Sequence, residues 1–226
     1  MWLEVSCVTI SQCWLDRFGC AAIGLALSTG QLLWPIVLEP NELALVLVDH
    51  CGTDELFGRT SLQKVAYLCE AGLGWSGSGH RAYYYGPYSR DIDRAVNRLV
   101  RDGAVAETEE ELGFTSPQGF VGKRYRYVLT GSGRTCLTSL EEEAPEDVRH
   151  VRRYADQVRA AAGDYNQRVL SLAAKTHYIV QSAEKGVSYA QISANAQELG
   201  WRISAPEIQR VAAILEKLKL ASPASC

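Results

Sequence analysis

Residues 89–103 read SRDIDRAVNRLVRDG, and this segment separates into two faces when it is wound as a helix. At about 100° per residue, one face is polar and collects Arg90, Arg94, Asn97, Arg98 and Arg101. The opposite face is aliphatic and consists of Ile92, Ala95, Val96, Leu99 and Val100. A helix that buries one face and carries arginines on the other is typical of DNA-reading helices, although solvated surface helices share the pattern.

The elements around this arginine-bearing helix follow from capping residues, glycines and periodicity. In chain order, the sequence predicts helices over 42–50 and 60–72, a short strand over 81–85, the arginine-bearing helix, strands over 104–107 and 124–129, and a helix from Thr130 toward Leu140. This order is that of a winged helix, in which the helix before the hairpin reads DNA. We therefore expect a mainly α fold with a small β hairpin, containing a winged-helix domain over 39–140.

The C-terminal third is predicted to be helical throughout. Its helices are expected from Pro145 to about Ala162, from a cap at Asp164 to about Glu184, from Ser188 to Gly200, and from Ser204 onward. We interpret residues 141–226 as a helical subdomain that packs on the winged helix or on a second copy of the chain. A homodimer formed through this tail is expected, because winged helices often bind two half-sites.

Residues 1–38 form an N-terminal extension of uncertain status. The run from Phe18 to Leu38 carries no charge, but it contains three glycines and a proline, and acidic residues precede it. Three interpretations remain open: a weak membrane anchor, an extra packed element, or a leader that precedes the native start. We expect no stable insertion into a membrane.

Composition and motif searches predict a protein without catalysis, metal or cofactor. Residues 57–134 hold eleven basic and eight acidic side chains, so only this part of the chain is positively charged. No two of the seven cysteines form a C-x-x-C pair, which favours reduced thiols in the cytoplasm. The histidines are scattered through the chain at His50, His80, His150 and His177. No nucleophile elbow or phosphate-binding loop is complete.

The second arm of the hairpin is basic and the first is acidic. The basic side chains are Lys123, Arg124 and Arg126. The acidic side chains are Glu107, Glu109, Glu110 and Glu111. A basic wing commonly contacts the DNA backbone, whereas glutamates repel phosphate and can pair with the basic arm across the hairpin.

Four tyrosines flank the turn before the arginine-bearing helix, at Tyr83, Tyr84, Tyr85 and Tyr88. Such a cluster is usually half core and half surface, with alternate rings buried. The alternative is that the rings stack on bases of a single-stranded nucleic acid.

The runs GRTSLQKVAYL, YYYGPYSRDIDRAVNRLVRDG and YRYVLTGSGR resemble the YwgA-like family of uncharacterised prokaryotic proteins. They are more distantly similar to the Panacea antitoxin group, whose leucine-glutamine-lysine helix and tyrosine-glycine-proline turn recur here. The matching positions are Leu62, Gln63, Lys64, Tyr67, Tyr85, Gly86, Pro87 and Tyr88. The tail from SLAAKTHYIV also resembles the first family, whereas residues 1–37 do not. The resemblance implies a winged-helix-like fold and a regulatory or antitoxin-type role, without catalytic residues.

The sequence thus predicts a DNA-binding regulator that acts on double-stranded DNA. In the major groove, we expect DNA contacts from the helix side chains Arg90, Arg94, Asn97, Arg98 and Arg101. Backbone contacts are expected from Lys123, Arg124 and Arg126. The alternative function is an antitoxin-like protein-interaction module whose arginines meet an acidic protein partner.

Overall fold

The computed structural model describes residues 38–52, 58–115, 121–183 and 187–220. Residues 1–37 of the N-terminal extension, to which the three interpretations apply, lie outside these ranges, and the three cysteines before residue 21 are among them. The helices within them are α1 Pro40–Cys51, α2 Arg59–Leu73, α3 Arg90–Arg101, α4 Gly131–Glu143, α5 Pro145–Ala162, α6 Gln167–Ser182, α7 Tyr189–Glu198 and α8 Ala205–Lys217. Two antiparallel strands, β1 Val105–Thr115 and β2 Val121–Leu129, form a hairpin between α3 and α4. The predicted mainly α fold with a small β hairpin is confirmed.

The core is built around α1, whose side chains from Leu43 to Val48 are all buried. The aliphatic face of α3 packs against it, so that Ile92 is fully buried and Leu99 is half-buried against the same cluster. Two C-terminal helices also pack against this unit: α5 contacts both α1 and α2, and α6 contacts α2. The C-terminal helices therefore share a core with the segment that precedes the hairpin, whereas the predicted boundary near residue 140 stays a prediction.

Helix α3 begins where the sequence predicts, because Ser89 caps it. The Ser89 hydroxyl accepts hydrogen bonds from the backbone amides of Asp91 and Ile92, at 3.1 and 3.0 Å. Acidic side chains in the first turn and arginines in the last turn complement the helix dipole. The helix is thus specified locally as well as by its buried face.

The predicted cap of α6 at Asp164 is wrong. Asp164 has a φ of 50° and lies in the turn after α5, where Gly163 and Tyr165 are also left-handed. Asn166 caps α6 instead, and its side-chain oxygen accepts from Arg168 and Val169. The turn is therefore two residues longer than the sequence suggests, and its extra length brings the Tyr165 ring into the core.

The predicted strand over 81–85 is also wrong. Arg81 and Tyr88 form one isolated β-bridge with two 2.9 Å hydrogen bonds, and between them the chain folds back on itself. Tyr83 and Gly86 close this turn through reciprocal backbone bonds of 3.2 and 2.9 Å. Gly86 has a φ of 109°, a conformation that favours glycine. The aromatic run therefore forms a turn of fixed shape, which we call the tyrosine loop (residues 81–88).

Within the described ranges, no helix combines the length and hydrophobicity that crossing a membrane requires.

Candidate functional site

The polar face of α3 is exposed, as its sequence pattern predicts. Its four arginines and its asparagine are Arg90, Arg94, Asn97, Arg98 and Arg101, and all five are solvent-exposed. The side chains of Arg94 and Arg101 are 74% and 72% exposed. We call these five residues the α3 face.

Acidic neighbours balance only part of the charge on the α3 face. Arg94 pairs with Asp91 at 3.2 Å and Arg101 with Asp102 at 3.1 Å, both at the surface. Arg90 and Arg98 have no acidic partner among the described residues. Exposed ion pairs of this kind contribute about 0–1 kcal/mol. A phosphate group can therefore readily displace Asp91 and Asp102 from these arginines.

Asn97 differs from the arginines because its polar atoms are already bonded within the protein. Its side-chain oxygen accepts from Arg59 at 3.2 Å, and its amide donates to Asp93 at 3.2 Å. Arg59 also donates to the Tyr127 hydroxyl at 2.8 Å and pairs with Glu107 at 2.9 Å. Arg59 therefore joins α2, α3 and both strands, a role that no spacing in the sequence indicates.

The two arms of the hairpin neutralise each other in part, as the acidic and basic pattern allows. Lys123 pairs with Glu109 at 2.6 Å, and Arg126 approaches Glu110 at 3.9 Å. Arg124 has no ion pair among the described residues. It lines a cleft of about 160 Å³ with Lys123 and the first residues of α2, beside the Arg59 that contacts the α3 face.

Two polar side chains of α2 are buried and hold the end of the tyrosine loop and the residue that follows it. Gln63 donates to the Ser89 carbonyl at 3.0 Å and accepts from the Ser89 amide at 2.9 Å. Lys64 donates to the Pro87 carbonyl at 2.6 Å, and burial lowers the pKa of this lysine to about 7. The leucine-glutamine-lysine run and the tyrosine-glycine-proline turn thus form one structural unit.

A buried contact between a carboxylate and a histidine fastens the segment before this loop. Glu70 pairs with His80 at 2.9 Å and accepts from the Ser78 amide at 3.2 Å. The Ser78 carbonyl in turn accepts from the Ser89 hydroxyl that caps α3. The start of the α3 face is therefore positioned through hydrogen bonds that begin on α2.

A second buried contact joins α2 to α6. The Tyr67 hydroxyl lies 2.8 Å from His177 Nδ1, and both side chains are buried. Burial lowers the pKa of His177 to about 4 and raises that of Tyr67. His177 is therefore neutral in the folded protein at pH 7.

The lowered pKa of His177 predicts that the protein loses stability in mild acid. Its folded pKa of about 4 lies below the ordinary 6.5, so the unfolded chain binds the proton first. We expect the free energy of unfolding to fall by about 2 kcal/mol between pH 7 and pH 5. Urea denaturation at both pH values measures this fall. The variant His177→Gln does not titrate there and should lose about 2 kcal/mol less than the wild type; equal losses would rule His177 out as the source.

The tyrosine rings are not in the core, which corrects the prediction of alternate burial. Tyr83, Tyr84 and Tyr85 are 54%, 78% and 71% exposed, and Tyr88 is half-buried. The reason is that the loop is anchored through its backbone, which leaves the rings outside. Trp201 donates to the Tyr83 carbonyl at 2.7 Å, and Ser171 donates to that of Tyr85 at 2.8 Å.

A cleft of about 660 Å³ separates the tyrosine loop from the first turns of α3. The side chains that give it its chemistry are Arg81, Tyr83, Tyr88, Arg90 and Arg94, together with Asp91 and Asp93. The structure therefore brings Arg90 and Arg94 together with aromatic rings, at one end of the α3 face. Arg98 and Arg101 do not line this cleft.

In the part of the chain that the structure describes, no three or more histidine, cysteine or acidic side chains are grouped to hold a metal ion. The cysteines there are Cys51, Cys69 and Cys136. Burial raises the pKa of the Cys69 thiol, which disfavours the reactive thiolate.

The chain is similar to an uncharacterized bacterial protein. A 132-residue stretch is 25% identical to the uncharacterized protein YwgA of Bacillus subtilis (strain 168), over 58% of this chain and 73% of that protein. No family model matches the chain. The similarity supports the resemblance to the YwgA-like family, and the relative's name assigns no activity.

Proposed function

We propose that this chain is a non-catalytic DNA-binding regulator of the cytoplasm, with residues 39–140 acting as a winged helix. The observation that carries the proposal is the α3 face, an exposed row of arginines on a helix that precedes a hairpin. Its opposite face is buried against α1, so the helix presents these arginines from a fixed position. Arginine forks bond phosphate oxygens and guanine edges, which makes duplex DNA the matching partner.

The hairpin contributes less to this proposal than its composition suggests. Lys123 and Arg126 face glutamates, so contact with phosphate has to displace an internal pair. Arg124 is available, and the cleft it lines at the start of α2 has the size and charge for a phosphate group. We therefore assign the backbone contact mainly to Arg124, with α3 lying in the major groove. A homodimer through the C-terminal helices would present two such surfaces to two half-sites.

The second candidate function is an antitoxin-like interaction module that binds an acidic protein through the α3 face. The exposed glutamates of β1 favour it, because they stand where a DNA-binding wing would be basic. Glu109 and Glu110 pair with basic side chains of β2, so the repulsion between β1 and DNA phosphates is weakened but not abolished.

Photo-crosslinking separates the two candidates. A benzophenone amino acid replaces Arg101 on the α3 face in one variant and Arg153, an exposed arginine of α5, in a control. Each variant is irradiated with a pool of labelled random-sequence duplexes in a bacterial extract. We expect DNA adducts from position 101 and none from position 153. Adducts to a single acidic protein, without DNA, would support the second candidate and contradict the first.

A further inference from the structure

The tyrosine loop presents three adjacent exposed tyrosines whose position the proposed duplex contact does not explain. Their rings are more than half exposed, although tyrosine rings usually bury most of their area. Tyr83 contacts Tyr84 edge-on at 4.8 Å between ring centroids, and Tyr88 in a tilted arrangement at 5.2 Å. The rings of Tyr83, Tyr84 and Tyr88 thus form a connected aromatic surface, and two of them, Tyr83 and Tyr88, line the 660 Å³ cleft.

This aromatic surface is held by a fixed backbone. Three carbonyls of the loop accept hydrogen bonds from side chains outside it, namely those of Trp201, Ser171 and Lys64. The turn is closed internally by the bonds between Tyr83 and Gly86. A ligand that stacks on these rings therefore meets a surface that is already ordered, which reduces the entropic cost of binding.

The charge lining the cleft favours an anionic ligand. Of its two acidic side chains, Asp91 pairs with Arg94, whereas Asp93 keeps its charge and accepts hydrogen bonds from the neutral side chains of Asn97 and Tyr88. Arg81 and Arg90 are exposed, and neither has an acidic partner among the described residues. Arg81, Arg90 and Arg94 thus outnumber the two aspartates of the lining, so the cleft beside the aromatic surface has a net positive charge.

Flat rings next to arginines that have no ion pair suit the base and the phosphate of an unpaired nucleotide. A base stacks on a tyrosine face whatever its sequence, and the adjoining phosphate bonds arginine. Bases inside a duplex are already stacked on each other, so they cannot use the tyrosine faces. The cleft volume lies within the roughly 300–1,000 Å³ of small-ligand sites, and one nucleotide therefore fits.

We propose that the tyrosine loop and its cleft bind one or two unpaired nucleotides at the end of a duplex, with bases on Tyr83 and Tyr84 and phosphate on Arg81 and Arg90. The proposal rests on the proposed function, because Arg90 and Arg94 belong to both surfaces. The paired part of the ligand contacts the rest of the α3 face. The preferred ligand is then a junction between double-stranded and single-stranded DNA.

The test compares four fluorescent probes by anisotropy: a blunt 16-base-pair duplex, the same duplex with a 5′ overhang of five thymidines, the same duplex with a 3′ overhang of five thymidines, and a ten-thymidine single strand. We expect at least one overhang polarity to bind tenfold or more tighter than the blunt duplex, as stacking of one or two bases predicts. The variant Tyr83→Ala/Tyr84→Ala should lose this preference and keep the affinity for the blunt duplex. Tyr83→Phe/Tyr84→Phe should retain the preference, because phenylalanine also stacks.

A matched control distinguishes the site from a general effect on the loop. Tyr84 adjoins the cleft through its ring contact with Tyr83, whereas Tyr85 neither lines the cleft nor contacts another ring among the described residues, so Tyr85→Ala should leave the preference unchanged. Equal affinity of blunt and overhanging duplexes would overturn the proposal and leave the duplex function standing. Binding of the single strand alone, lost in Tyr83→Ala/Tyr84→Ala, would support the site and contradict the duplex function. Binding of an acidic peptide in place of every DNA probe would overturn both.

Discussion

Replacing Arg94 and Arg98 together with alanine is expected to weaken duplex DNA binding about 10²-fold at 100 mM salt. Each arginine is exposed on the α3 face, and a hydrogen bond to a charged group contributes about 1.5 kcal/mol or more. Two lost contacts therefore give about two orders of magnitude in affinity. Fluorescence anisotropy with a labelled 20-base-pair duplex measures the change.

The matched control removes two arginines of the same spacing from another helix. Arg149 and Arg153 are exposed on α5, also four residues apart, and Arg149 pairs with Glu146 much as Arg94 pairs with Asp91. The variant Arg149→Ala/Arg153→Ala removes the same net charge and should change affinity less than threefold. Neither double variant should unfold the protein, because alanine is the better helix former and each variant relieves repulsion between arginines at i, i+4. Equal losses in both would show that net charge, and not the α3 face, governs binding.

Replacing Trp201 with alanine is expected to lower the free energy of unfolding by about 3–5 kcal/mol. The indole is 1% exposed and packs in a cluster with Ile179, Ile192 and Ile203. Its Nε1 donates to the Tyr83 carbonyl, so the change leaves both a cavity and a lost anchor of the tyrosine loop. Urea denaturation followed by circular dichroism measures the effect.

Two further variants separate the packing of Trp201 from its hydrogen bond. Trp201→Phe keeps most of the packing and should cost about 1–2 kcal/mol through the lost bond. Trp75→Ala removes a tryptophan that is only half-buried and should cost less than Trp201→Ala. A cost below about 1 kcal/mol for Trp201→Ala would contradict the burial of this side chain.

Helix boundaries follow closely from the sequence where local chemistry determines them. Helix α5 begins at Pro145 and ends at Ala162 as predicted, since proline suits the first turn and Gly163 adopts the left-handed conformation that follows. Ser188 and Ser204 begin α7 and α8 through capping boxes with Gln191 and Glu207. These signals act within four residues, so no tertiary information is needed to read them.

The errors arise where tertiary contacts override local preference. Tyrosine favours strands and cores, yet Tyr83–Tyr85 form an exposed turn, because the loop's hydrogen bonds go to Trp201, Ser171 and Lys64 from distant segments. Those partners lie 23 to 118 residues away in the chain. Periodicity cannot indicate such contacts.

The candidate site was predictable to a similar extent. The two faces of α3 and the cross-hairpin pairing of glutamates follow from spacing alone. The role of Arg59 and the burial of Gln63 and Lys64 do not, because polar residues on a helix are normally read as its solvated face.

The salt dependence of duplex binding tests most directly whether the α3 face contacts DNA. Each arginine–phosphate contact releases a counterion and adds about 0.9 to the steepness of log affinity against log salt concentration. Titrations of the wild type and of Arg94→Ala/Arg98→Ala between 50 and 200 mM salt should therefore give slopes that differ by about 1.8. Identical slopes for the two proteins would contradict a phosphate contact through this face.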